Sequence, residues 1–240
     1  MNGPDAGNRV RHVALVPIRP YGFPSRSLLH VARRPPEPVV LRLVYLVTGL
    51  GDSALLLPGS VALLGYLVWR RHARVALAWL GALALCLGLT ALAKVAFMAC
   101  GGHLTALRMD SPSGHASFSA AFYGACAVVA AFHRPRLQRI AIHAAAIMLV
   151  LLIGASRVAI GVHSPEEVLS GLLIGGLCVQ AFALAGVPAE RKPIRIAPLA
   201  LVLALIALPV VATGRHLSAE AFLEGIADRL APAVGCDARP

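Results

Sequence analysis

Six apolar runs, at 53–69, 75–97, 115–132, 140–156, 167–187 and 197–213, leave this chain almost no way to fold in water. Each is long enough to cross the roughly 30 Å hydrocarbon core of a bilayer as a single helix, which takes about 17–25 mainly apolar residues. In that medium a segment must satisfy its backbone polar groups internally, and helix is the form in which one run can do so. Composition agrees, with 58% of the 240 residues hydrophobic, 14% charged and a mean hydropathy of +0.75. The expected fold is an all-α polytopic membrane bundle of about six transmembrane helices, occupying residues 39–213.

The net charge of +11 has a topological reading. Arg70, Arg71 and Arg74 follow the first run, Arg134, Arg136 and Arg139 the third, and Arg191, Lys192 and Arg195 the fifth, so all three clusters fall on one side. Basic loops of this kind mark the cytoplasmic face. They also suit anionic lipid headgroups, and they argue against nucleic acid as the partner. The opposite, outer side carries a few charges that topology does not require: Lys94, Arg108, Asp110, Arg157, Glu166 and Glu167. Cations there call for another reason, and an anionic substrate supplies one.

The ends of the chain read differently. Residues 1–38 hold six arginines among many Pro and Gly, a composition expected to stay disordered, with no apolar core of the kind a cleavable signal needs. The span count puts this basic tail outside, against the charge rule, unless 39–50 helps return it to the cytoplasm. Residues 214–240 form a tail in which Phe222, Leu223, Ile226 and Leu230 share one face of a short helix expected to lie on the outer surface. Cys86, Cys126 and Cys178 fall inside spans as small buried hydrophobes, and Cys100 and Cys236 are both expected outside, where a bridge between them is open but has no motif behind it. No metal-ligand spacing and no internal repeat stand out, and nothing sets an oligomeric state.

Two segments at the outer ends of spans concentrate the chemistry. Ser164-Pro165-Glu166-Glu167 reads as a helix start, with Ser164 as N-cap and Glu167 at the third position, so His163 sits at the mouth of a helix where N–H groups and the dipole favour an anion. Pro112-Ser113-Gly114-His115 repeats that geometry before the third span. Gly114 allows close approach of backbone to a ligand, Ser113 offers a hydroxyl and an amide, Arg157 a planar fork for phosphate oxygens and Lys94 a point charge. With two imidazoles, one can attack phosphorus while the other protonates the leaving oxygen. Glu167 has two readings of equal weight, as the helix cap and as the acid that holds the His163 tautomer. Asp52 reads as the cap of the first span, and Gly171 and Gly175 as positions for close helix packing.

Ser156-Arg157, five residues, His163, three residues, Glu167, together with Pro112-Ser113-Gly114-His115, resemble the third and second signature motifs of the type 2 phosphatidic acid phosphatase (PAP2) superfamily, which includes bacterial lipid phosphatases and vanadium-dependent haloperoxidases. The resemblance runs from about Lys94 to Gly176. It implies a PAP2/haloperoxidase-like helical core, with His163 as nucleophile forming a phosphohistidine and His115 as acid for the leaving group. Glu167 then stands where the family has Asp, Ser113, Gly114 and Arg157 bind phosphate, and Lys94 opens the first motif. No metal and no other cofactor is implied. The first motif departs from the pattern, since Gly101 and Gly102 occupy the places of its Arg-Pro, and Arg108 in the same loop is the candidate replacement. The expectation is hydrolysis of a membrane lipid phosphate at the outer face of a bacterial cytoplasmic membrane. A polyprenyl diphosphate would use the same residues, and an inactive lipid-phosphate binder is the reading from another class.

Overall fold

The computed structural model describes residues 38–100, 111–186, 225, 226, 228 and 229, all within a compact unit that starts at Glu37. Six helices account for nearly all of them: α1 Pro38–Gly49, α2 Ser53–Trp69, α3 Ala73–Cys100, α4 Gly114–Ala131, α5 Arg136–Ala159 and α6 Pro165–Gly186. There is no strand among the described residues. Five stretches are long and apolar enough to cross a membrane: Val39–Trp69, Ala73–Met98, Gly114–Ala131, Arg136–Ala159 and Pro165–Ala185. The sixth expected span, 197–213, lies outside the described residues, as do the tail 1–37 and most of the surface helix expected at 218–230.

The helices outrun the apolar windows that announce them. α5 starts at Arg136 rather than Ile140, and α3 at Ala73 rather than Val75, because basic residues continue a helix into the headgroup region with their charges reaching water. Val39–Leu50 forms a helix of its own, α1, whose 12 residues rise only about 18 Å. The break before α2 comes at Leu50-Gly51-Asp52.

α4 is the central helix, buried over most of its length, whereas the other spans bury one face. Its sequence explains this: Gly, Ala and Ser fill most of its positions, so neighbouring backbones approach on several sides. A side chain at Gly171 of α6 would run into the Ser113 carbonyl, and one at Gly175 into the Ser117 carbonyl. Those two contacts, four residues apart on both helices, make α4 and α6 parallel, in close packing and with their N-termini side by side. α3 runs the other way, with Trp79 against Phe122 and Phe182, Thr90 hydrogen-bonded to Ser117 and Lys94 beside Ser111.

Trp79 anchors the apolar core far from these N-termini. It is edge-on to Phe182 at 5.9 Å between ring centroids, and its indole N–H donates to the Ser60 carbonyl at 3.2 Å, the partner a buried indole requires. Leu56, Leu63 and Leu67 of α2, Val75 of α3 and Phe118 and Val129 of α4 complete it. Cys86 and Cys178 pack with Ala121 as small buried groups, and both are free thiols. Leu169, Leu173, Leu177 and Leu184 of α6 and Ile140, Ile147 and Leu151 of α5 point outward, as a lipid-facing surface demands.

Candidate active site

One end of the bundle gathers the starts of α2, α4 and α6 and the ends of α3 and α5, with the buried Asp52, Lys94 and Glu167. The turn from α5 to α6 sets the geometry. α5 closes with the Gly161 N–H bonded to the Val158 carbonyl at 3.0 Å and the Val162 N–H to the Arg157 carbonyl at 3.2 Å, the paired bonds of a Schellman cap. Gly161 takes φ +76°, a conformation that a residue with a side chain adopts only under strain. The chain thereby reverses within five residues, bringing His163 back beside the last turn of α5. Arg157 lies in that turn, where the helix dipole favours a cation.

α6 opens with a complete capping box. Glu167 N–H donates to Ser164 Oγ at 3.2 Å, and Ser164 N–H donates to Glu167 Oε2 at 3.1 Å. The same Oε2 accepts from His163 Nδ1 at 2.8 Å, so the two roles read for Glu167 are both present and share one oxygen. A carboxylate facing Nδ1 holds the ring proton there and directs the Nε2 lone pair away from α6. The other carboxylate oxygen, Oε1, accepts from the Ser111 N–H at 3.0 Å, and the Glu167 carbonyl accepts from the Ser113 N–H at 2.9 Å. One buried residue therefore ties the His163 ring to the loop that launches α4.

α4 begins with Ser113 as N-cap, its Oγ accepting from the Ala116 N–H at 3.4 Å, and His115 in the first turn. Ser113 is fully buried. Lys94 is 5% exposed, with Nζ 3.4 Å from Ser111 Oγ. A Cβ at Gly114 would lie 3.6 Å from Lys94 Cε, an ordinary van der Waals distance, so the ammonium stem runs alongside the helix start. Of the residues singled out in the sequence, His115, His163, Glu167, Lys94, Ser113, Gly114 and Arg157 are all found at this end. Arg108 lies outside the described residues.

Three residues enter that the sequence did not single out for the site. Ser111 receives Glu167 and faces Lys94. Ser156 turns inward, sharing a 2.6 Å hydrogen bond with Thr48 of α1 and donating to the Ile153 carbonyl, so the motif serine joins helices. Asp52 caps α2, Oδ1 accepting from the Ala54 N–H at 2.8 Å, and its Oδ2 stands 3.8 Å from His115 Nε2. The cap was legible; the second oxygen was not, because its partner lies 63 residues away (115 − 52).

Parallel N-termini of α4 and α6 point two helix dipoles at one place, with Lys94 and Arg157 beside them, a setting made for an oxyanion. The sequence model of the PAP2 superfamily matches residues 95–191, a segment that holds His115, Arg157, His163 and Glu167. Residues 95–191 are thus similar to the PAP2 superfamily, and that similarity supports phosphatase activity on phosphate esters in general. A protein of Klebsiella pneumoniae, described as an uncharacterized 22.5 kDa protein in cps region, is 34% identical over 133 residues, which are 54% of this chain and 63% of that one. The chain thus spans a little under two thirds of that relative's length. No solved structure matches the chain. Asp52 lies well outside the PAP2 segment, and Lys94 one residue before it.

Proposed function

We propose that the chain hydrolyses a lipid phosphate monoester by phosphoryl transfer to His163. Nε2 attacks phosphorus, the bond from phosphorus to the lipid alcohol oxygen breaks, and His115 gives its proton to that oxygen. A water then attacks the phosphohistidine, its proton passes to His115, and the N–P bond breaks to release inorganic phosphate. The carrying observation is the 2.8 Å contact from His163 Nδ1 to a carboxylate that also binds the loop before α4. It leaves Nε2 as the nucleophilic nitrogen and ties the two motifs together. Lys94, Arg157, Arg108, the Ser113 hydroxyl and the Gly114 N–H stabilise charge on the phosphoryl oxygens, and no metal takes part.

The site opens at the outer face of a bacterial cytoplasmic membrane. Supporting this, Arg70, Arg71, Arg74, Arg134, Arg136 and Arg139 all flank the opposite ends of the helices, where the positive-inside rule puts the cytoplasm. A phosphate can then enter from the headgroup layer while the acyl chains remain in the bilayer.

The test is phosphate release by purified protein in detergent, in the presence of chelator, from a panel that includes phosphatidate and a polyprenyl diphosphate. Turnover of the monoester that vanishes in His163→Ala is expected. Turnover of the diphosphate alone would move the substrate class, and no turnover of any member would leave a lipid-phosphate-binding protein in place of an enzyme.

A further inference from the structure

Each of the two histidines faces a buried carboxylate, and only that of His163 comes from the PAP2 segment. We propose that Asp52 is the positioning residue of His115, orienting the imidazole and stabilising the imidazolium so that the ring delivers its proton to the leaving alcohol. The proposal rests on the phosphatase reading above.

Asp52 is 1% exposed, and its Oδ2 lies 3.8 Å from His115 Nε2, within ion-pair range. Oδ1 is the oxygen that caps α2, and Oδ2 is the one that faces His115. With Nε2 turned to Asp52, Nδ1 is the nitrogen directed at the substrate. The turn carrying Asp52 is fixed against the helices that build the site. Tyr123 of α4 donates its hydroxyl to the Leu50 carbonyl at 2.8 Å, and Thr48 is bonded to Ser156 of α5 at 2.6 Å. Between these, Gly51 wedges so closely that a Cβ would meet Ile153 Cγ2 at 2.6 Å and Ser119 Oγ at 2.9 Å. Ser119 is one helical turn beyond His115, so the turn is clamped at the depth of the imidazole. A carboxylate buried this way in a membrane protein is costly unless it has a function or a cationic partner, and protonated His115 is one cation within its reach.

The experiment compares two phosphate esters in detergent. One is an alkyl phosphate, whose alkoxide must be protonated as it leaves; the other is p-nitrophenyl phosphate, whose phenolate leaves without help. The quantity read is kcat/KM, which reports only steps up to departure of the first alcohol. Asp52→Asn and Asp52→Ser both keep an N-cap oxygen and lack the charge. Both are expected to lose about 10- to 100-fold on the alkyl ester and under about threefold on the aryl ester, the pattern of a weakened general acid. His115→Ala should show the same leaving-group bias, and Asp52→Asn should add no further loss to it. Equal losses on both esters, a variant within twofold of wild type on the alkyl ester, or full additivity with His115→Ala would each overturn the assignment of Asp52 alone. Wild-type protein inactive on both esters would overturn the phosphatase reading and this proposal with it.

Discussion

His163 and His115 are held by opposite strategies. The carboxylate of His163 comes from four residues along the same chain segment, makes a 2.8 Å hydrogen bond, and is fixed by its own capping box. The carboxylate facing His115 comes from a turn between two other helices and stands at 3.8 Å. In the proposed chemistry this contrast is useful. A nucleophile needs one nitrogen aimed at phosphorus with the tautomer fixed, which a short local bond provides. An acid that later serves as a base has to carry its proton in one step and not in the next, and a longer ion-pair contact stabilises the charged ring without locking the proton.

The comparison breaks most completely at the nucleophile. His163→Ala is expected to lower phosphate release by at least about 10³-fold, since the other imidazole, His115, serves as the acid in the proposed chemistry. Retention of even a tenth of the activity would remove His163 from the chemistry. Glu167 sharpens the contrast: Glu167→Gln keeps a capping-box side chain but loses the charge, so kcat should fall by about 10²-fold with little change in melting temperature. Glu167→Ala should lose activity and, in addition, about 1–2 kcal/mol of stability from the cap. Thermal unfolding in detergent beside the rate assay separates the two effects.

Smaller effects test the frame that brings the two histidines together. Gly171→Ala puts a methyl against the Ser113 carbonyl, and Gly175→Ala does the same one turn deeper at Ser117. Each is expected to destabilise by about 1–3 kcal/mol through overpacking, but only Gly171→Ala should also depress activity strongly, because Ser113 begins the helix bearing His115. Equal activity losses would mean that the spacing of α4 and α6 is felt along the whole pair. Smallest is Gly161→Ala, where φ +76° costs a side chain about 1–2 kcal/mol with no steric clash. Its melting temperature should fall modestly, and its activity should follow that of His163 rather than that of His115.

Much of this was legible in the sequence because it is local. Ser164-Pro165-Glu166-Glu167 specifies a capping box by spacing alone, and a box with His163 one residue ahead brings Glu167 to the imidazole. The spans were legible by their apolar length, and α2 coincides with its run from Ser53 to Trp69. Gly171 and Gly175 were legible as a close-packing pair, and the structure names their partners. What could not be read is the contact between distant segments. Leu50-Gly51-Asp52 looks like an ordinary cap until α4 and α5 close around it, and Ser156 is only a motif position until Thr48 meets it. The helices run up to four residues past their apolar runs, as at Arg136, because hydropathy registers apolar side chains and not the backbone that continues past them.

The most direct test of the central claim, that His163 is the nitrogen that takes the phosphoryl group, is rapid-quench labelling with a ³²P-labelled lipid phosphate. Label that is lost in acid, stable in base, carried on the peptide containing His163 and absent from His163→Ala is the expected result. Turnover by wild-type protein with no such label, or with label on another residue, would contradict it.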